Sequence, residues 1–151
     1  SNGTIVGNNT KIKTELEKIF NNITIDGNWN VVEAHPEWFG ALPDGNMIAQ
    51  IYIENINSFD VTKLKNGVYF INGTIQLRSH VVIFGEKGKT TIKSPVTKEF
   101  DVNDLPDANT LPYVFYSEKA VKVLFKGISF MLGDYYNGIG FKQTVNGNTD
   151  E

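Results

Sequence analysis

The chain contains no cysteine, which excludes disulfide bonds, thiolate catalysis and cysteine-ligated zinc. It has no apolar run near the roughly 20 residues that span a bilayer, so membrane insertion is not expected. Its 14 Lys and Arg against 17 Asp and Glu give a net charge of -3, without the basic face of a nucleic-acid-binding domain. The close pairs Lys63 with Lys65 and Lys87 with Lys89 fit solvated turns. No nucleic-acid partner is therefore expected.

The chain has enough apolar material to form a core. Its 151 residues are 40% hydrophobic, which suits a single domain. Residues 1–9 lack the basic and apolar regions of a signal peptide and are expected to be flexible. The stretch 10–22 predicts a helix, because Thr10 can cap it and apolar residues follow at three- and four-residue spacing: Ile12, Leu16, Ile19 and Phe20. A helix this short needs an apolar surface to cover. Residues 10–66 are therefore predicted to form an N-terminal helix and cap.

The segment 45–56 fits two structures. Ile48, Ile51, Tyr52 and Ile56 lie on one helical face, with Asp44 placed to cap it. The alternation of β-branched isoleucines fits a strand instead. A helix is the preferred prediction.

From Gly67 onward the pattern changes to short strands separated by turns. A polar, proline-containing segment at 94–112 divides them into two groups. The first group is VYFI (68–71), TIQL (74–77), VVIF (81–84) and TTIK (90–93), and the second is YVFY (113–116), VKVLF (121–125), ISFM (128–131) and GIGFK (138–142).

The two groups align as a repeat. TIQL, VVIF and TTIK correspond in order to YVFY, VKVLF and ISFM, each about forty residues later, and roughly half of that offset is the polar segment. The underlying unit of about twenty residues has three strands and three turns. This is one coil of a right-handed parallel β-helix, whose successive coils hydrogen-bond to each other at about 4.8 Å. The predicted fold class is thus mainly β, a right-handed parallel β-helix beginning with an N-terminal covering helix.

Stacked coils bury a continuous apolar interior. We expect one row of inward side chains to lie beneath another, since each coil alone is too thin to bury its face. The first row is Ile75, Leu77, Val81, Ile83 and Ile92, and the second is Tyr113, Phe115, Val121, Val123 and Ile128. The coils are predicted over 67–145 with the inserted loop at 94–112. Residues 146–151 form a polar tail or a truncation point, and the natural protein is expected to continue beyond Glu151.

Three stretches carry a family resemblance. EWFGALPDG (37–45), GVYFINGTI (67–75) and LRSHVVIFGEKGKTTIKS (77–94) resemble the opening of the pectate-lyase-like β-helix superfamily, especially phage tailspikes and bacterial cell-surface members. The resemblance covers residues 37 to 94 well and 111 to 142 more loosely. Two positions depart from the family pattern. Asn46-Met47-Ile48 replaces a Thr-Asp-Asp run that caps the helix, and Ile71-Asn72-Gly73 lacks a usual proline.

The aromatic turn HPEWFGALPDG (35–45) is expected to be structural. Trp38 and Phe39 are predicted to pack between the first coil and the covering helix, while Gly40 and Gly45 permit sharp changes of direction. A sugar-stacking platform is the alternative, but buried rings are the commoner fate. His35 and His80 are each expected to have a hydrogen-bonded structural role.

Two groups of side chains are candidate sites. Trp29, Tyr135 and Tyr136 are candidates for carbohydrate binding, since aromatic rings stack on sugars. The stretch 101–109 places oxygen ligands at Asp101, Asn103, Asp104 and Asp107, which suit calcium but lack the glycine and closing glutamate of an EF-hand loop. A solvated loop is the preferred interpretation there, so no cofactor is expected, with Ca²⁺ as the alternative. No pair of carboxylates is singled out as catalytic.

The resemblance implies a function for the whole protein. We expect the N-terminal part of a tailspike-like surface protein that recognises or degrades cell-surface polysaccharide, with this segment mainly structural. It would be a homotrimer, contact other virion tail proteins, and be located in a virion tail or at the cell surface. If it is an enzyme, it is a polysaccharide lyase or glycoside hydrolase whose groove lies outside this segment. The alternatives are a non-catalytic adhesin or virion component, and a secreted polysaccharide lyase with its catalytic coils removed.

Overall fold

The protein is mainly β, with parallel sheets and almost no helix. A computed structural model describes residues 3–12, 18–20, 23–49, 52–53, 59–95, 113–117, 120, 122–133 and 137–141. The strands are β1 (Gly3–Lys11), β2 (Ile23–Asn30), β3 (Asp44–Ile48), β4 (Val61–Lys63), β5 (Gly67–Phe70), β6 (Ile75–Gln76), β7 (Val82–Phe84), β8 (Thr90–Lys93), β9 (Tyr113–Ser117), β10 (Leu124–Lys126), β11 (Ile128–Met131) and β12 (Asn137–Phe141). A 3₁₀ turn occupies Pro36–Phe39.

Consecutive strands from β4 onward belong to different sheets. One sheet has the order β10-β7-β4, the second β11-β8-β5-β3, and the third β12-β9-β6. Every third strand therefore returns to the same sheet, where it pairs in parallel with the strand three earlier. We call the three sheets A, B and C in that order, and each set of three consecutive strands from β4 onward a coil. A fourth sheet pairs only β1 with β2.

The predicted correspondence of the two strand groups is confirmed. Residue Ile75 of β6 lies opposite Phe115 of β9, Val82 of β7 opposite Leu124 of β10, and Thr90 of β8 opposite Ile128 of β11. All three pairs are parallel. The polar segment therefore separates two chain stretches that pair strand for strand, as the repeat predicts.

The predicted lower row of core residues is also confirmed. Ile75, Leu77, Val81, Ile83 and Ile92 are all buried and belong to one apolar cluster. The upper row is partly different. Phe115 is buried as predicted, but Phe125 lies opposite Ile83 and Phe130 opposite Ile92. Val123 and Ile128 are only partly buried against the cluster, and Val121 is outside the described residues.

Three phenylalanines, one from each sheet, meet in the interior. The ring of Phe115 lies 5.0 Å from that of Phe125 and 6.2 Å from that of Phe130, and the last two are 6.4 Å apart. Phe125 comes from sheet A, Phe130 from sheet B and Phe115 from sheet C. The inner faces of the three sheets thus share one core.

The helix predicted over 10–22 is wrong wherever the structure describes it. Thr10 and Lys11 end strand β1, and residues 18–20 are not helical. Residues 3–9, predicted to be flexible, form the rest of β1. β1 pairs in parallel with β2 along its length, with a bulge at Asn9 (φ 55°). Pairing with a second strand outweighs the weak helical spacing, which a short segment cannot stabilise alone.

The β1–β2 pairing exposes a repeat that the sequence interpretation missed. Thr-Ile-x-Gly-Asn occurs at 4–8 and again at 24–28, and the register places the two copies residue on residue, from Thr4 on Thr24 to Asn8 on Asn28. The offset of 20 residues equals the coil length predicted for the later strands. A search for short identical motifs at that spacing would have found it.

The helix preferred over 45–56 is likewise wrong at its start. Residues 44–48 form β3, which pairs with β5. Only Tyr52 and Ile53 are described as helical, with their amides donating to the Ala49 carbonyl at 3.1 Å, while 50–51 and 54–58 are outside the described residues. Asp44 does cap, but it caps a turn at the strand's start. Its carboxylate accepts from the amides of Met47 and Asn46, which lowers its pKa.

The burial predicted for the aromatic turn is confirmed, but the covering helix expected to pack on it is not helical at residues 18–20, where it is described. Trp38 and Phe39 are 3% and 5% exposed and pack in a second apolar cluster with Phe20 and Phe59. The Trp38 carbonyl accepts from the amides of Ile19 and Phe20, which holds the segment 18–20 over the turn. Gly40 and Gly45 have φ of 104° and 76°, the backbone conformation expected of them.

Candidate functional site

Two tyrosines form an aromatic pair on the outer face of sheet C. The rings of Tyr113 and Tyr116, both on β9, are stacked at 5.6 Å with an interplanar angle of 22°. Phe115, between them, points into the core and is fully buried. Because side chains alternate along a strand, Tyr116 points outward. Both tyrosines are half-buried, so part of each residue remains accessible.

A glycine on the next strand makes room for the pair. A Cβ added at Gly140 would lie 2.7 Å from Cγ, Cδ1 and Cε1 of Tyr113. Three equal distances to one side of the ring mean that the ring lies face-on against the Gly140 backbone. Any larger residue at this position would displace Tyr113.

This placement corrects one prediction for the core. Tyr113 was expected to point inward with Phe115, whereas its ring covers Gly140 on the outer face. Tyr113 is the first residue of β9, so its side chain is not confined between two neighbouring residues of the strand. The sequence signal available was a Tyr-x-x-Tyr spacing opposite a glycine in the following strand, which only the register reveals.

The aromatic pair continues into a row across the sheet. Gln76 on β6, Tyr116 on β9 and Gly140 on β12 lie side by side in the register. Gln76 is exposed, and an amide beside an aromatic face combines hydrogen bonding with apolar contact. We call Gln76, Tyr113, Tyr116 and Gly140 the tyrosine platform. Its chemistry suits the apolar face and the hydroxyls of a sugar ring.

Of the predicted carbohydrate-binding residues, only Trp29 is described. Its ring is partly buried against Phe20 at 6.1 Å and Phe59 at 6.4 Å, and its indole N–H donates to the Asp26 carbonyl at 2.8 Å. These contacts attach Trp29 to the second apolar cluster. Within the described residues, its ring contacts do not include Tyr113 or Tyr116. Its role in sugar binding stays a prediction. Tyr135 and Tyr136 lie outside the described residues.

The candidate calcium ligands also lie outside the described residues: Asp101, Asn103, Asp104 and Asp107. Among the residues that the structure does describe, no three histidine or acidic side chains are grouped closely enough to hold a metal ion. The calcium alternative therefore stays a prediction.

A buried polar pair joins the aromatic turn to strand β5. The Tyr69 hydroxyl donates to Oε1 of Glu37 and accepts from the Lys65 amide at 2.7 Å. Tyr69 is fully buried and Glu37 is 6% exposed. Burial, followed by the neighbouring Glu37 carboxylate, raises the pKa of the Tyr69 hydroxyl far above its ordinary value. The phenol therefore stays protonated and keeps donating.

His35 lies next to this pair. Its Nε2 is 3.5 Å from Oε1 of Glu33, which also accepts from Nζ of Lys63 at 2.9 Å. Burial lowers the pKa of His35, while the charges of Glu33 and Glu37 oppose that shift. Shifted pKa values can mark active sites. Here the shifted groups, Tyr69 and His35, are buried at the contact between the aromatic turn and β5, which favours the structural role predicted for His35.

The six described acidic side chains all have structural partners. Glu33 and Glu37 bond to Lys63 and Tyr69 as above, and Asp44 accepts turn amides. The others are Asp26, which accepts from the Gly27 amide, Asp60, which pairs with Arg78 at 2.7 Å, and Glu86, which binds Lys89 and Asn66. Bonds from Lys89 and Asn66 lower the pKa of Glu86. Each of the six thus has at least one bonding partner within the described residues.

Comparison with protein-family models, with curated proteins and with solved structures found no match to this chain. In the described part of the chain, no helix has the length and apolar character required to cross a lipid bilayer.

Proposed function

We propose that this chain is the start of a right-handed parallel β-helix in a tailspike-like surface protein, and that it helps to recognise cell-surface polysaccharide. The observation that carries the proposal is the return of every third strand to the same parallel sheet. Continuous coiling of one chain around a shared core produces that order. The meeting of Phe115, Phe125 and Phe130 from three sheets supports the same geometry.

The part played by this segment is mainly structural. Its coils begin the solenoid, and the two copies of Thr-Ile-x-Gly-Asn extend the coil period to the N-terminal strands. The contribution to recognition comes from the tyrosine platform, which places the half-buried Tyr113 and Tyr116 beside each other on the outer face of sheet C. Homotrimer formation and assembly with other virion tail proteins follow from the family resemblance and belong to the same proposal.

A second candidate is a non-catalytic adhesin or virion structural component. The structural bonding of all six described carboxylates favours it for this segment, because glycoside hydrolysis needs a pair of carboxyl groups facing one groove. Under the leading proposal, degradation would depend on residues outside the described part. Products distinguish the cases: new reducing ends indicate hydrolysis, unsaturated ends that absorb ultraviolet light indicate a lyase, and neither supports pure binding.

The platform is tested by affinity electrophoresis of the chain through gels that contain cell-surface polysaccharides. Replacing Tyr116 by Ala should weaken binding about 2- to 13-fold, which corresponds to the loss of one aromatic contact of about 0.5–1.5 kcal/mol. Tyr116→Phe keeps the ring and should retain binding. Phe70→Ala, on the outer face of sheet B, is the matched control. Equal retardation of the wild type, Tyr116→Ala and Phe70→Ala would remove the platform from the proposal.

A further inference from the structure

Lysines from three successive coils converge where sheets A and B meet. Lys63 ends β4 and Lys65 follows it, Lys87 and Lys89 lie in the turn between β7 and β8, and Lys126 ends β10. We call these five lysines the basic edge. The sequence alone scatters them over 64 positions in two close pairs and a single residue. The overall charge of -3 gives no sign of them as a group.

The register brings these positions together. Lys63 lies opposite Phe84, and Phe84 lies opposite Lys126, so the two lysines flank one ring on neighbouring strands. These three side chains face outward, because Thr62 and Ile83 beside them are buried. Nζ of Lys63 is 5.8 Å from the centre of the Phe84 ring. Parallel strands are spaced about 4.8 Å apart, so Lys63 and Lys126 begin roughly 10 Å apart.

The turns that carry the other lysines also contact one another directly. The Gly85 amide donates to the Lys126 carbonyl at 2.9 Å, and Gly67 donates to the Lys89 carbonyl at 2.8 Å. A Cβ added at Gly127 would lie 2.3 Å from the Gly85 oxygen and 3.2 Å from the Lys87 nitrogen. The chain after β10 therefore rests directly on the turn that contains Lys87.

Acidic side chains offset only part of this charge. Glu33 pairs with Lys63, and Glu86 pairs with Lys89. Three of the lysines have no ion pair within the described ranges, and all three are exposed: Lys65, Lys87 and Lys126. On this edge, three ammonium groups thus have no acidic partner among the residues that the structure describes.

We infer that the basic edge binds the regularly spaced anionic groups of an acidic cell-surface polysaccharide. This inference rests on the proposed function and names the class of polymer. Each of three successive coils contributes one of these three ammonium groups, so they suit a polymer with repeated negative charge. Phe84 between Lys63 and Lys126 adds an apolar surface for a sugar ring.

Nucleic acid fits the edge less well. Duplex DNA carries one charge per about 1.7 Å along its axis, and binding it requires a broad basic face. Here the cations form a single strip on a protein whose total charge is negative. A flexible acidic glycan can follow such a strip without contacting the acidic remainder.

The experiment is affinity electrophoresis and calorimetry of the full 151-residue chain at several salt concentrations. The probes are polygalacturonate for carboxylates, poly(glycerol phosphate) for phosphodiesters, neutral dextran and single-stranded DNA. The test variant is Lys65→Gln/Lys87→Gln/Lys126→Gln. The control variant, Lys11→Gln/Lys18→Gln/Lys93→Gln, makes the same change in net charge away from the edge, and circular dichroism confirms that both fold.

The inference is supported if one acidic glycan binds the wild type, and if that binding weakens about 10-fold or more in the test variant but less than 2-fold in the control. The polymer that binds identifies the carboxylate or phosphodiester source. Equal losses in the two variants, no binding of either acidic glycan, or equally tight binding of single-stranded DNA would overturn it. Binding of a neutral polysaccharide that depends on Tyr116 and not on these lysines would leave the proposed function standing while the inference fails.

Discussion

The hydroxyl of Tyr69 donates a hydrogen bond to the carboxylate of Glu37, and both side chains are buried. Tyr69 lies on β5 in the sheet stack, whereas Glu37 lies in the 3₁₀ turn of the N-terminal region. This bond therefore links the regions of the two apolar clusters found among the described residues. Oε2 of Glu37 has no partner among the described residues, so Tyr69 supplies the bond on which the buried carboxyl group depends.

Replacing Tyr69 by Phe should lower the free energy of unfolding by about 1–3 kcal/mol, because it leaves a buried carboxyl group without its donor. Urea unfolding followed by circular dichroism measures the change. Tyr116→Phe removes a hydroxyl from a half-buried ring and is the matched control, with an expected change within about 0.5 kcal/mol. Equal stability of Tyr69→Phe and the wild type would show that the bond contributes nothing net.

Acidification should destabilise the fold through His35. Burial lowers its pKa in the folded state below the ordinary 6.5, so the unfolded chain binds more protons as the pH falls through that value. Stability is then present above about pH 6.5 and is lost below it, until the folded-state pKa is reached. The slope cannot exceed about 1.4 kcal/mol per pH unit for one proton.

Urea midpoints measured between pH 5 and 7.5 test this dependence. His35→Gln should flatten the curve in that range. His80→Asn is the control that keeps His35, and asparagine suits the positive φ of 61° at that position. The carboxylates with lowered pKa, Asp44 and Glu86, contribute stability that disappears only at pH values near and below 4. A curve for His35→Gln as steep as that of the wild type would contradict the assignment.

Adjacent residues on β8 should differ sharply in their effect on stability. Ile92 is fully buried between Tyr69 and Phe130 in the register, whereas Thr91 points outward and is half-buried. Ile92→Ala should cost about 2–5 kcal/mol through lost burial and a residual cavity. Thr91→Ala should change stability by about 0.5 kcal/mol or less. Similar losses in the two variants, measured by urea unfolding, would mean that the inner face is wrongly assigned.

Gly140→Ala should disturb the tyrosine platform. The new methyl group would overlap the Tyr113 ring, so the ring must move or the strand must shift, at a cost of about 1–3 kcal/mol. The near-ultraviolet circular dichroism of tyrosine should change, and polysaccharide binding should weaken. Gly3→Ala is the control, because nothing lies within 4 Å of a Cβ at that position. An unchanged tyrosine spectrum in Gly140→Ala would refute the face-on contact.

Strand positions in the C-terminal half could be predicted from the sequence because each is a short apolar run bounded by turn residues. Ile75, Ile83 and Ile92 were assigned to the core correctly for the same reason. The N-terminal half was predicted less well. A weak helical spacing around Ile12 led to the helix prediction there and the repeated Thr-Ile-x-Gly-Asn went unnoticed, whereas parallel pairing of β1 with β2 decided the structure.

Only the type of the candidate site could be predicted from the sequence, and its residues could not. An aromatic surface for sugars was expected, but Tyr113 was assigned to the core and Tyr116 was not considered as its partner. Their pairing depends on Gly140, which is 24 residues from Tyr116 and becomes its neighbour only through the register. Interactions between strands on different coils are long-range in sequence, so local patterns do not contain them.

The sequence by itself determined where the strands from β5 onward lie, which of their residues are apolar, and that units of about twenty residues repeat. These properties come from local backbone preference and side-chain alternation, which each segment carries with it. Only the tertiary structure decided which rings meet, which lysines share an edge, and which carboxylate receives the Tyr69 hydroxyl. Those relationships depend on the register between coils, and the register is set by the packing of the whole core.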